Sequence, residues 1–265
     1  MFMKRFLQKI KNGIKNADKS TLVIYIILRF LTIICLVREL MNGNIEHALL
    51  CVLALILFVL PFFVEKTFKI DLPNTLEIII FLFIFSAEIL GEIHNFYGIF
   101  HNFDSILHTI NGFLAASVGF SLVYLLNENM DSLHLTPIFV SLVAFCFSMT
   151  IGIFWEFFEY GMDKYFNLDM QKDEYVYQLR TVELDPDKSN KVFFIDDVQM
   201  TILYSEDGRE LIRLDGYLDI GLHDTMRDLI VNFIGAFVFS VFGYLYIVNK
   251  DKYKLAEKFL TKKVV

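Results

Sequence analysis

Residues 137–160 read PIFVSLVAFCFSMTIGIFWEFFEY; no charged side chain precedes Glu156, and Glu156 and Glu159 close the stretch. As a helix, roughly 20 mostly apolar residues match the hydrocarbon thickness of a bilayer. Similar runs lie near Leu22–Leu40, Ala48–Val64, Leu76–Ile93, Ser105–Leu126 and Thr225–Val248. The chain has 265 residues, 55% of them hydrophobic, with 29 Phe. These features predict an all-α membrane protein, a bundle of about six transmembrane helices.

Charge distribution orients the bundle. Residues 1–19 hold six Lys/Arg against one acid, and residues 250–265 hold six Lys against two acids, within a chain of net charge -7. Basic ends bordering spans place both termini in the cytoplasm and call for an even number of spans. The first apolar run is too long for a signal peptide and no small-residue cleavage site follows it, so it is read as an anchor. The basic ends are short and border membrane segments, so no nucleic-acid partner is implied.

The organisation expected is a basic amphipathic segment over 1–20, spans one to five over 21–160, an extracytoplasmic β-rich insert over 161–222, span six over 223–249 and a basic cytoplasmic tail over 250–265. Phe2, Phe6, Ile10 and Ile14 suit a helix lying on the inner leaflet, and Tyr253, Leu255, Phe259 and Leu260 suit the same role; a solvated basic flank explains either equally well. In the insert, Val192–Ile195, Met200–Tyr204 and Glu210–Leu214 have strand composition, with Asp207-Gly208 as a hairpin turn. Cys35, Cys51 and Cys146 all lie in apolar runs without CxxC spacing and read as buried small hydrophobes.

Ionisable residues inside spans carry the functional signal, because each costs about 2.5 kcal/mol or more to insert. Span three ends with Glu88 and Glu92, and span four opens with Asp104 and His108, followed by Asn111 and Gly112. Span five ends with Glu156 and Glu159, and span six opens with Asp224 and Asp228, followed by Asn232 and Gly235. Spacings of three or four put each pair on one helix face. With the orientation above, all four pairs fall at the outer end of their helices. The two hairpins form a faint parallel repeat that an axis along the membrane normal would relate.

Such a set needs protons, Arg side chains or cations to offset its charge. Carboxylates with His suit one or two divalent ions such as Zn, Mn, Mg or Fe. Glu88, Glu92, Asp104, His108, Glu156, Glu159, Asp224 and Asp228 are the candidate metal ligands, and His108 and Glu159 the candidate general bases. A hydrogen-bonded polar network that only holds the bundle together explains the same residues. Arg29 needs an acceptor in mid-span, for which Glu88 is a candidate, and Arg227 neighbours Asp224 and Asp228 as a counter-ion. His94, His101 and His223 are secondary ligand candidates. Trp155 reads as an interfacial anchor. Gly112, Gly119, Gly152 and Gly235 suit close helix approach.

The stretches Phe103-Asp104-Ser105-Ile106-Leu107-His108, Trp155-Glu156-Phe157-Phe158-Glu159 and Leu218-Asp219-Ile220-Gly221-Leu222-His223-Asp224-Thr225-Met226-Arg227-Asp228-Leu229 resemble those of YjdF-like membrane proteins, a family of unknown function. The resemblance covers spans three to six. It implies a multi-pass bacterial membrane protein of the cytoplasmic membrane and marks Asp104, His108, Glu156, Glu159, Asp224 and Asp228 as signature positions. The insert, roughly 167–217, exceeds the compact family pattern. Asp228-x3-Asn232-x2-Gly235 is weakly similar to the last helix of VanZ-like proteins.

Three functions fit these features: a metal-dependent enzyme acting on a lipid or lipid-linked substrate at the outer leaflet, a proton- or cation-coupled transporter, and a non-enzymatic envelope protein whose insert binds a partner. Membrane lipid is the implied neighbour in each. No nucleotide-binding loop, nucleophile elbow or HExxH is present.

Overall fold

The structure, a computed structural model, describes residues 19–130, 134–254 and 256–263. The amphipathic reading of Phe2, Phe6, Ile10 and Ile14, and that of Leu255, lie outside the described residues. In chain order the elements begin with helices α1 (Lys19–Met41), α2 (Ile45–Leu57) and α3 (Leu60–Phe68) and the short strand β1 (Ile70–Asp71). Then come α4 (Asn74–Ile84), a π-helical segment (Phe85–Ile93), α5 (Phe96–Ile99), α6 (Phe103–Asn129) and α7 (Pro137–Phe166). Six strands follow: β2 (Glu174–Val176), β3 (Leu179–Thr181), β4 (Phe193–Ile195), β5 (Met200–Tyr204), β6 (Glu210–Asp215) and β7 (Tyr217–Asp219). The chain finishes with α8 (Leu222–Val248), a 3-10 turn (Ala256–Phe259) and β8 (Lys262–Lys263).

Five of the described helical stretches are long and apolar enough to cross a membrane: Lys19–Met41, Ile45–Phe68, Phe103–Glu128, Pro137–Phe166 and Leu222–Val248. The third expected span, Leu76–Ile93, is helical too but is divided between α4 and the π segment, where the i→i+5 pattern adds a residue to the turn. Ser86, Glu88, Gly91 and Glu92 fall in that π segment.

α1 shows how the pattern sorts itself. Leu28, Thr32, Cys35 and Glu39 recur every three or four residues and are buried, while Ile26, Ile27, Phe30, Ile33, Ile34 and Val37 are exposed. Only 22% of its most apolar stretch is buried. In water such a surface would be an association site; in lipid it is the ordinary outer face of a span, since the backbone is satisfied within the helix. Cys146 is likewise exposed, unlike Cys35 and Cys51, which corrects the expectation of three buried thiols.

The chain divides into two compact units, one running to Phe154 and resuming at Asp228, the other Trp155–Arg227. In the first, Leu76, Leu114, Phe120, Val140, Ala144, Ala236, Phe239 and Phe259 join one core, and Leu28, Cys35, Cys51, Ala54, Phe58, Phe81 and Ile89 a second. Phe259 meets Phe113 edge-on with ring centroids 5.3 Å apart and Phe239 at 5.9 Å. The buried Ser121 hydroxyl donates to the Phe259 carbonyl at 3.1 Å, and β8 pairs antiparallel with β1. The expected leaflet-surface role of Phe259 is therefore corrected: its ring fills core space between α6 and α8.

The second unit carries three two-stranded antiparallel sheets, β2–β7, β3–β4 and β5–β6. The β5–β6 hairpin turns through Asp207-Gly208, where Gly208 takes φ +78°. Asp185 organises a neighbouring loop: its carboxylate accepts the Ser189 amide at 2.8 Å, the Ser189 hydroxyl at 2.9 Å and the Lys191 amide at 3.1 Å. These bonds, with the Lys191 amide foremost, hold the Asp185 carboxyl below its ordinary value.

Glycines set the closest helix crossing. A Cβ on Gly112 of α6 would overlap the Asn232 carbonyl of α8, and a Cβ on Gly235 of α8 would overlap the Thr109 carbonyl of α6. The contact is reciprocal, since each glycine faces the carbonyl of the residue three positions before the other. Ser105-x3-Thr109-x2-Gly112 and Asp228-x3-Asn232-x2-Gly235 are the corresponding spacings.

Gly235→Ala should lower stability by about 1–3 kcal/mol through overpacking, seen as a fall in the melting temperature in detergent. Gly161→Ala, whose added methyl meets nothing within 4 Å, should not lower stability and should raise it by up to about 1 kcal/mol through helix propensity. A second expectation concerns pH. The folded value of Asp185 lies below its unfolded value, so its stabilisation is complete above the unfolded value, near 3.9, and is lost as pH falls through the folded one. Protection of the Ser189 and Lys191 amides, corrected for intrinsic exchange, should hold from neutral pH down to about 4 and decline below it.

Candidate functional site

Asp104 lies in the first turn of α6 and His108 one turn further on, so both side chains share a face. The helix N-terminus favours the negative charge of Asp104. Asp228 lies on α8 and is brought alongside by the glycine crossing one turn deeper. His108 Nε2 stands 3.5 Å from Asp104 Oδ1 and 3.7 Å from Asp228 Oδ2. One ligand atom from each of the three residues lies within 4.8 Å of the others. Burial grades across the group: the Asp228 side chain is 1% exposed, His108 9% and Asp104 27%. The group is therefore closed on the α8 side and open on the Asp104 side.

A polar layer supports it from beneath. Asn111 Nδ2 donates to Asn232 Oδ1 at 3.2 Å, and Asn232 Nδ2 reaches Met149 Sδ at 3.6 Å. Ser148 of α7 donates to the Gly112 carbonyl at 2.7 Å. A Cβ on Gly152 would press on the Asn232 amide. Asn232 thus lies where α6, α7 and α8 meet, 1% exposed. A buried amide in an apolar bundle must bond within the protein, so this layer fixes the helices that carry the group above it.

Of the eight candidate ligands, Asp104, His108 and Asp228 come together in this group. Glu88 and Glu92 belong to the π segment; Glu88 is 2% exposed and its Oε2 has no hydrogen-bond partner. The other three lie in the second unit. There Glu159 accepts the Trp155 indole at 2.7 Å, Asp224 accepts the Lys172 amide at 2.8 Å, and Glu156 is buried. Trp155 thus has a local role as donor to Glu159. Arg29 donates to Tyr25, one turn away on α1, and not to the expected Glu88. Arg227 pairs with Glu174.

A family model described as "Predicted membrane protein (DUF2238)" matches residues 21–249. The chain belongs to this family. The match takes in α1 to α8, and so all three grouped residues of this DUF2238 protein. The YjdF-like resemblance is consistent with it, whereas the likeness of the last helix to VanZ-like proteins gains no support. Neither the curated proteins nor the solved structures provide a match.

Reasoning from sequence misses Ser148, since a lone serine in an apolar run has no spacing partner to mark it. Asn232→Leu should strand Asn111 and lower stability by about 1–3 kcal/mol, while Asn232→Gln should recover part of the loss; thermal unfolding in detergent measures both.

Proposed function

We propose that the protein is a membrane-embedded enzyme whose Asp104, His108 and Asp228 hold a divalent cation and act on a lipid or lipid-linked substrate at the outer leaflet. The observation that carries this reading is the convergence of two carboxylates and an imidazole from two crossing helices, sealed at Asp228 and open at Asp104. Donor atoms around a tetrahedral ion lie roughly 3.4 Å apart. The two His108 separations, 3.5 and 3.7 Å, are already near that value. The third edge, no longer than 4.8 Å, is within reach of side-chain rotation.

The donor set suits Zn, Mn, Fe or Mg. Such an ion supplies Lewis acidity and lowers the pKa of a bound water. Asp228, deeply buried, anchors; His108 fixes the distance between the carboxylates; Asp104, partly exposed, borders the open side. Glu88 and Glu92, which lie in the same unit, are proposed as further donors.

A transport reading has one specific support, the buried Glu88 with its unpartnered oxygen on the π segment, because buried carboxylates in spans serve proton pathways. Gradient-driven uptake by proteoliposomes, lost in Glu88→Gln and retained in Asp228→Asn, would replace the enzyme reading.

The direct measurement is metal content and thermal shift. Protein purified without chelator should carry close to one equivalent of a divalent ion and lose melting temperature on chelation. Asp228→Asn and His108→Gln should lower affinity by roughly 10-fold or more. A wild-type protein that holds no ion and shows no shift with Zn, Mn, Fe or Mg overturns the proposal.

A further inference from the structure

Arg29 interrupts the apolar run of α1 near its middle. Seven uncharged residues from Leu22 precede it, and eight follow it to Val37. At 1.5 Å per residue its Cα lies roughly 10 and 12 Å from the two ends of that run. A charge at such depth in a span faces a cavity or finds a counter-charge. Arg29 donates to the Tyr25 hydroxyl one turn away and its guanidinium lies 5.6 Å from the centre of the Tyr25 ring. Tyr25 is itself fixed in the second core, its ring 5.1 Å from that of Phe81 and 6.4 Å from that of Phe58. The guanidinium is thus held in place by an anchored ring. One phenol oxygen serves one of its five N–H donors. Among the described residues no carboxylate pairs with Arg29.

The surroundings of Arg29 are those of a seam between helices. α1 packs on α2, α4 and the π segment along one flank. Only 22% of its most apolar stretch is buried, the smallest share among the five apolar helices. Ile26, three residues before Arg29, and Ile33, four after it, are 55% and 43% exposed, and Val37 continues their row. Arg29 is half-buried, between this row and the buried Leu28 and Thr32. In hydrocarbon no hydrophobic force joins two apolar helices, so a polar pair at one depth selects the partner and sets its register.

We propose that this flank of α1 docks a transmembrane helix of a second membrane protein that carries a Glu or Asp at mid-bilayer depth, with Arg29 as the partner of that carboxylate. Charge complementarity carries the choice, since the planar guanidinium fork matches a carboxylate. A two-fold contact of α1 with a second copy sets Arg29 against Arg29. A lipid phosphate belongs to the head-group level, above the run in which Tyr25 holds the guanidinium. The seam uses none of Asp104, His108 and Asp228, so it is independent of any metal chemistry.

The experiment uses the full-length protein in phosphatidylcholine vesicles with a diazirine side chain in place of Ile33. Three synthetic Leu/Ala transmembrane peptides are the probes, carrying a central Glu, a central Gln or a Glu near one end. Photolysis should crosslink the central-Glu peptide several-fold more than the other two. Arg29→Leu should remove that preference and Arg29→Lys should restore part of it, with thermal unfolding in detergent reporting that each variant is folded. The comparison of the three peptides on the otherwise unaltered protein stands whether or not Arg29→Leu folds. Equal capture of the central-Glu and central-Gln peptides overturns the proposal, as does a preference that survives in folded Arg29→Leu. With phosphatidylglycerol added, crosslinking to that lipid in place of the peptide overturns it in favour of a lipid phosphate. Crosslinking of α1 to α1 overturns it in favour of a homodimer face.

Discussion

The backbones of α6 and α8 touch at Gly112 and Gly235, and the arrangement of the first unit's polar groups follows from that contact. In hydrocarbon no hydrophobic force draws two apolar helices together, so close packing and internal hydrogen bonding must do so. Removing the Cβ at two positions lets each helix approach the other's carbonyl. At that separation an Asn on one helix reaches an Asn on the other, and an Asp on one reaches a His on the other. A wider crossing would leave each of these groups buried alone, where every unsatisfied polar atom costs several kcal/mol.

Two environments act on the same helices. Their outer faces carry Phe, Ile and Leu because lipid is the solvent there, while their inner faces carry Ser, Asn, Asp and His in a few layers. α8 shows both extremes. Its Asp228 end joins a carboxylate–imidazole group sealed from below by Asn232, and the half beyond Phe233 walls an apolar groove beside α7.

The π segment shows a third consequence of placing acids in a span. Glu88 is enclosed where the helix widens, beside Gly91, whose missing Cβ leaves room for the Tyr97 ring. The Tyr97 hydroxyl in turn donates to the Ala87 carbonyl at 3.4 Å. The backbone irregularity is thereby supported by a side chain from the following turn.

Much of this was legible in the order of residues. Apolar run length and basic flanks announce membrane helices, since bilayer thickness sets the number of residues a helix needs. Three- and four-residue spacing put Asp104 and His108 on one face, because helical geometry is local. Asp207-Gly208 marked the β5–β6 turn for the same local reason. What the sequence left open is which of eight acids and imidazoles meet: identical spacings at Glu88/Glu92 and Asp224/Asp228 lead to a lone buried carboxylate in one case and, for Asp224, to a backbone amide acceptor in the other. That Asp228 joins Asp104 and His108, that Phe259 returns to the core and that Ser141 shares a groove with Ser240 were decided only by tertiary structure. Each depends on contacts between residues about 100 or more positions apart, and helix spacing, which carries the sequence signal, says nothing about which helices become neighbours.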